Sequence, residues 1–433
     1  MKCKTGMYAV VLFLGGLVMA GPAFAHGGKT GVDGQFFVHI RAINKIQRTQ
    51  LANMGVSIES TMSDSVYGTV SPRVMARLRR FNIPVLESFP LSRNIGMEEF
   101  PSDDSRFHDY KEMTKALGDL AAAYPNILKM FSIGKSLENR DIWCVQVNSS
   151  ATRGRIDGRR TFSAKPGAVF MGNHHAREHV SAEIPFMILE FIAKNYGSDP
   201  AITRLVDTRD IYFIPMVNPD GAEFDITGGS YHMHRKNTRR NSEGSVGVDL
   251  NRNYGFMWGT GGSSKDPSSD VYMGPRPFSE PETQAIKAFV ESRPNVKVLL
   301  SYHTFSELIL YPWGHKYDAI DNQKDRDTYT AMARTMAKWN GYKPEQSSEL
   351  YIASGDTTDW AYGALGIFAF TFELSPKSMW EGGFYPGQKI LDRVFAANLK
   401  PALYMMDLAD NPYRALNRAP GGRMAMLDDD VLQ

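Results

Sequence analysis

Cysteine is almost absent from this chain, with Cys3 and Cys144 the two in the whole sequence. Cys3 falls in an N-terminal stretch expected to be removed, so a mature chain keeps Cys144 alone and no intramolecular disulfide can form. In the strand-like "RDIWCVQV" Cys144 is expected to be a buried structural thiol. Net charge is also missing: without Lys2 and Lys4, 47 basic residues face 47 acidic ones. That balance argues against nucleic acid or a membrane surface as the main partner. Long apolar runs are lacking too. The run from Met7 to Ala20 breaks at Gly21-Pro22, short of the roughly 20 apolar residues that a span needs. With Lys2 and Lys4 before it and Ala23-Phe24-Ala25 after it, the run reads as a secretory signal cleaved after Ala25. Export to the periplasm or the medium is expected, without an anchor. There is no 20 to 50 residue repeat and no long low-complexity tract, which excludes a solenoid.

What remains is enough for one large domain and one small one. From about Gln35 to Ser88 the pattern reads strand, helix, strand, helix, strand, with Ser71-Pro72 a clear helix start. A unit that small is marginal alone, so residues 26–91 are expected to lean on a neighbour as a prosegment does. The polar stretch 92–106 reads as a linker, with Arg93 and Arg106 as processing points. From 107 to 410 helical patterns alternate with nearly continuous apolar strands, "AVFMG", "IYFIPMV", "VKVLLSY" and "IFAFTFEL". Runs of that kind belong to sheets covered on both faces. The expected fold is therefore α/β, a largely parallel twisted sheet between helices. Residues 411–433 read as a C-terminal extension.

In such sheets ligands collect just past the strand ends, and "GNHHAREHVSAE" follows the strand "AVFMG" at once. It can be read in two ways. In the H-x-x-E-H pattern, His175 and His179 hold a metal and Glu178 is the base. In a plain His-x-x-Glu pair, His175 and Glu178 are both ligands, and a third ligand and a base must come from elsewhere. Local spacing leaves both open. His303 ends the strand "VKVLLSYH", and Glu373 ends "FAFTFEL". A carboxylate inside an apolar run needs a reason, because burying an unpaired charge costs several kcal/mol. A catalytic base beside a cation supplies one.

Taken in order, "HHARE", "NPDG", "VDLNRNY", "PFSEPET", "LLSYHTFSELILYPWG", "YIASGDTTDWAY" and "FTFEL" resemble a zinc metallocarboxypeptidase of the carboxypeptidase A type across most of residues 107–410. The N-terminal unit resembles that family's ferredoxin-like activation segment. The resemblance implies one Zn2+ held by His175, Glu178 and His303, with the fourth position left to water. It implies Glu373 as general base and Arg235 as the arginine that polarises the scissile carbonyl. Asn251 and Arg252 match the pair that grips a free terminal carboxylate. Tyr351 matches a mobile tyrosine that closes over it, Arg177 a residue before the scissile bond, and Asp249 a partner that orients His175. His174 and His179 have no ligand role in this pattern. Phe305 stands where digestive relatives carry a tyrosine, so one hydroxyl contact to the peptide is missing.

The resemblance also implies peptide or protein substrates with a free C-terminus, acted on by a monomer. Position 358, threonine here, is apolar in relatives that cleave aromatic or aliphatic ends and aspartate in those that cleave basic ends. Asp356 resembles the acidic residue of bacterial members that accept both, so a broad specificity is expected from the loop "SGDTTDWAY". Rival readings are an H-x-x-E-H peptidase, a cell-wall or acylamino-acid amidohydrolase on the same fold, and a secreted binding protein without activity. "GTGGSSKD" lacks the P-loop spacing and reads as a surface loop.

Overall fold

The computed structural model describes residues 34–91, 100, 104–149, 165–227 and 231–417. The expected signal at 1–25, Arg93 with most of the linker, and the tail from 418 lie outside the described residues.

The first strands are β1 (Phe36–Arg41), β2 (Ser57–Thr61), β3 (Ser65–Val70) and β4 (Val85–Pro90), with helices α1 (Lys45–Asn53) and α2 (Pro72–Arg80) between them. They form a four-stranded sheet in the order β2-β3-β1-β4, its β1–β3, β1–β4 and β2–β3 pairs antiparallel. This is a ferredoxin-like βαββαβ unit. The stretch from Ser57 to Val70 reads as one strand in the sequence, but it folds into a hairpin that turns at Met62 to Asp64. Ser71 caps α2 as expected, its hydroxyl accepting from the Val74 N–H at 3.3 Å. Val38, Ile40, Val66, Val74 and Leu78 form its buried core.

The larger sheet is built from β5 (Leu128–Lys135), β6 (Asp141–Val147), β7 (Gly167–Met171), β8 (Asp210–Ile214), β9 (Val296–Thr304), β10 (Leu308–Tyr311), β11 (Lys343–Gln346) and β12 (Phe368–Leu374). Its order is β11-β10-β12-β9-β7-β8-β6-β5, and the central four strands, β12, β9, β7 and β8, run parallel. The helices are α3 (Tyr110–Ala123), α4 (Val180–Asn195), α5 (Pro200–Thr208), α6 (Pro219–Ile226), α7 (Pro281–Glu291), α8 (Gln323–Asn340), α9 (Thr357–Leu365) and α10 (Leu391–Leu408). Alternation along the strands assigns the two faces. Ala168, Phe170, Val298 and Leu300 join one core with α3, α4, α8 and α10, while Val169, Met171 and Leu299 join the other with α7 and α9. Both faces are dry, which is why these strands read as continuous apolar runs.

From β7 the chain crosses to β8 on one side, while β9 pairs with β7 on the other. The carboxyl ends of β7 and β9 therefore flank a topological switch point, where an open sheet leaves a crevice. Cys144 is fully buried on β6, and burial pushes its thiol up. Arg106, read as a processing point, is tied to Asp392 by two hydrogen bonds of 2.8 and 2.7 Å.

Candidate active site and metal centre

Immediately after β7 the chain turns so tightly that a Cβ on Gly172 would lie 1.8 Å from the Ser181 carbonyl oxygen. Asn173 takes a φ of +55° and its side-chain amide donates to the His175 and Ala176 carbonyls, at 3.2 Å each. This turn delivers His175 and Glu178 to the crevice ahead of α4. His303 arrives from the last turn of the ladder on β9, and its donor atom joins theirs. One donor atom from each of the three residues lies within 4.8 Å of the other two. His175 Nδ1 and His303 Nδ1 are 3.1 Å apart, and the Glu178 carboxylate lies 2.7 Å from the first and 3.0 Å from the second. All three side chains are buried.

Burial alone would raise the Glu178 carboxyl, but His175 and His303 outweigh it and hold it well below the usual carboxylate range. Two imidazole nitrogens and an ionised carboxylate converging in a buried crevice fit a divalent cation that takes nitrogen and oxygen donors, and zinc foremost. His174 and His179 stand apart from this trio. His174 meets the Tyr254 hydroxyl at 2.9 Å and the Ser301 hydroxyl at 3.2 Å, and His179 Nε2 lies 2.9 Å from Asp225.

Around the trio are the other expected residues. Asp249 lies 3.2 Å from His175 Nε2 and also accepts from Arg235 Nε at 3.1 Å. The sequence suggested the first contact and carried no sign of the second, by which one carboxylate positions both a candidate ligand and a guanidinium. Arg235 Nη1 is 3.9 Å from Glu178, so its charge faces the centre. Glu373 is the register partner of His303 across β12 and β9, which sets the two side chains on the same face of the sheet. It is partly exposed in the crevice. Desolvation and the neighbouring Glu178 carboxylate raise its carboxyl well above the ordinary value, against Arg235.

Further along the crevice, Asn251 Oδ1 accepts from Thr357 N and Oγ1, at 2.9 Å each. Arg252 donates through Nη1 to the Asn251 carbonyl at 2.8 Å and through Nε to the Gly262 carbonyl at 3.2 Å, which fixes its guanidinium plane. The segment expected to be a specificity loop begins a helix instead. Asp356 is the N-cap of α9, with Oδ1 accepting from Thr358 N, Thr358 Oγ1 and Asp359 N. The carboxylate is buried, and its Oδ2 has no hydrogen-bond partner.

Arg177 is fully buried, and its partners come from two regions of the chain. Glu59, on β2 of the N-terminal unit, forms an ion pair with Arg177 Nη2. Thr69 on β3 donates to Glu59 at 3.1 Å, and Asp270 lies 3.7 Å from Arg177 Nη1. The Arg177 guanidinium also covers the Phe384 ring at 4.2 Å. Beside it, the Tyr351 hydroxyl donates to the Ile58 carbonyl at 3.4 Å, and its ring packs on the N-terminal core. Glu59 is a partner of Arg177 that the sequence reading missed. It is one glutamate in a short alternating strand, and nothing local marks it.

Residues 113–400 match the family model described as zinc carboxypeptidase. A zinc carboxypeptidase from Saccharothrix mutabilis subsp. capreolus is 33% identical over 366 residues, covering 79% of this chain and 82% of the relative. Carboxypeptidase A2 from Rattus norvegicus is 33% identical over 313 residues, 71% of each chain. Among solved structures, carboxypeptidase A from Helicoverpa armigera superposes with a TM-score of 0.71 at 22% identity, covering 89% of this chain and 99% of that one, which supports the fold. With its sheet, its helices and this match over two thirds of its length, the chain belongs to the zinc carboxypeptidase family and is a metallocarboxypeptidase.

Proposed function

We propose that the protein is an exported carboxypeptidase that removes single residues from the C-termini of peptides, accepts both apolar and basic ends, and is held latent by its N-terminal domain. The observation that carries this reading is the setting of Asn251 and Arg252 beside the His175, Glu178 and His303 centre. A guanidinium of fixed plane with an amide neighbour suits a terminal carboxylate, which a plain amidohydrolase need not grip. Export rests on the N-terminal sequence. No described helix is long and apolar enough to cross a membrane. The enzyme is expected to act as a monomer on peptide or protein substrates.

In the proposed mechanism Asn251 and Arg252 hold the terminal carboxylate, and Tyr351 folds over it once released from Ile58. His175, Glu178 and His303 would hold the zinc, which when bound activates a water and polarises the scissile carbonyl. Arg235, braced by Asp249, is placed to stabilise negative charge developing on the carbonyl oxygen. Glu373 takes a proton from the attacking water and passes it to the leaving nitrogen as the carbon–oxygen bond forms and the carbon–nitrogen bond breaks. Arg177 lines the subsite before that bond. In the latent state Glu59 occupies Arg177 and Ile58 holds Tyr351, so two groups needed for substrate are engaged by the N-terminal domain.

Mass spectrometry of peptides digested with and without a chelator tests the activity. Stepwise loss of C-terminal residues, abolished by chelation, is expected. Internal cleavage, or equal action on C-terminal amides, refutes it.

A further inference from the structure

The specificity region contains a second acidic group that the mechanism does not use. Asp359 lies one turn into α9, three residues after Asp356, and its side chain is fully buried. Its Oδ1 accepts from Gly314 N at 2.9 Å, and its Oδ2 accepts from His315 N at 2.9 Å and meets His315 Nδ1 at 2.6 Å. The imidazole is itself almost wholly enclosed, set edge-on to Trp313 and Phe256. In front of this pair, Asp356 Oδ2 is buried without a partner and would lie 3.2 Å from a Cβ on Gly314. The adjoining Thr357 is hydrogen-bonded to Asn251, and a Cβ on Gly355 would meet the Arg252 carbonyl oxygen at 2.5 Å. Asp356 thus sits directly behind the pair assigned to the terminal carboxylate, where the side chain of the last residue must go.

We infer that Asp359 and His315 are positioning residues that set the charge of Asp356, and through it the pH at which the pocket changes from preferring apolar to preferring basic C-terminal residues. The inference rests on the reading of Asp356 as the pocket base. An ionised Asp356 offers Oδ2 to a terminal Lys or Arg, whereas a protonated one leaves a neutral floor for Leu or Phe. Two carboxylates in one buried setting disfavour each other's ionisation. Burial and the Asp359 charge push the Asp356 carboxyl up to about 7, against its hydrogen bonds from Thr358 and Asp359 N and the charge of Arg252. The charged or titratable groups facing Asp356 are Asp359 on its own helix, Arg252 and the Tyr254 hydroxyl, while His315, from the segment after β10, is paired with Asp359. His315, by donating to Asp359, draws off part of the negative charge that Asp356 feels.

The test uses the zinc-loaded enzyme and two peptides that differ only in a terminal Arg or Leu. The ratio of their kcat/KM values is followed from pH 5 to 9, so titrations common to both substrates cancel. In the wild type the ratio should rise through a midpoint near neutrality. Asp356→Asn should flatten it. Asp359→Asn should move the midpoint down by about one unit, raising the Arg preference at pH 6 about fivefold. His315→Ala should move it up, because the Asp359 charge is then less offset. A merely structural role does not produce opposite shifts. If Asp359→Asn fails to fold, the direction of the His315→Ala shift decides. Midpoints that stay fixed, or that move the same way, overturn the role of the pair, as does a flat wild-type ratio. A ratio that still titrates in Asp356→Asn instead overturns the reading of the pocket base.

Discussion

Latency should depend on one ion pair, and its weight can be worked from the structure. Arg177 is fully enclosed and the Glu59 side chain is 4% exposed. Removing one partner of such a pair costs about 3–5 kcal/mol, because the other charge is left buried. Here Asp270, 3.7 Å from Arg177, and the Met233 carbonyl, 3.2 Å away, remain in place and offset part of that cost. The low end, about 3 kcal/mol, is the appropriate figure. It acts only on the closed arrangement, since Glu59 and Arg177 separate when the N-terminal domain withdraws and each is then solvated. At about 1.4 kcal/mol per tenfold, Glu59→Ala should raise the open population of the full-length protein roughly a hundredfold. The assay is hydrolysis of a blocked dipeptide with a C-terminal Leu by the zinc-loaded full-length chain, before and after limited proteolysis. Wild-type activity should be low before proteolysis and high after it, while Glu59→Ala should be active throughout. A full-length wild type as active as its digest refutes the latency. A variant as silent as the wild type refutes the assignment of latency to Glu59.

Four further outcomes are expected. His303→Ala should abolish zinc retention on dialysis and His179→Ala should not, as read by metal analysis; the reverse would restore the H-x-x-E-H reading. Asp249→Asn, by loosening both His175 and Arg235, should weaken zinc affinity by about 10–100-fold and lower kcat as well. Glu373→Gln should retain zinc and substrate binding while kcat falls by about 10²–10⁴-fold. Glu282, buried on α7 against Asn237 and Leu137 N, has its carboxyl raised to about 7 from 4.5, by burial first. Its proton is therefore held more tightly in the folded state, and that contribution to stability is complete below about pH 4.5 and lost as pH rises through 7. Urea midpoints at pH 5 and 8 should differ more in the wild type than in Glu282→Gln, and an equal difference would show that Glu282 does not titrate in this range.

The sheet was legible because its central strands are covered on both faces, and such strands announce themselves as apolar runs of the length seen in β7, β8, β9 and β12. The hairpin between β2 and β3 was not, because its polar turn at Met62 to Asp64 interrupts an otherwise strand-like stretch without Gly or Pro to mark it. The start of α9 did carry a signal. Asp356 precedes Thr-Thr-Asp359, an N-cap residue with an acid three positions on, but the flanking Gly355 gives the stretch the look of a loop. Glu59 on Arg177 and His315 on Asp359 belong to another order of information. They join residues 118 and 44 positions apart, and no periodicity connects them.

The ambiguity of "HHAREH" shows where sequence spacing stops and topology begins. Glu178 lies three positions after His175, which lets both reach one cation, and His179 lies four positions after it, which would serve equally well on a helix. The order of strands favours the first option. Met171 pairs with Ser301 across β7 and β9, so the chain needs only two more residues on β9 to bring His303 over the crevice that His175 enters from the β7 side. His179 lies a step later, at the start of α4, and there its imidazole is committed to Asp225, which also accepts from the Tyr385 hydroxyl at 2.8 Å and the His234 N–H at 2.6 Å. Drawing His179 to the metal would leave a buried carboxylate without one of its partners, at a cost of order 1–3 kcal/mol. The proposed third ligand, His303, is therefore brought in by the parallel pairing of β7 and β9, a contact between residues 130 positions apart in sequence.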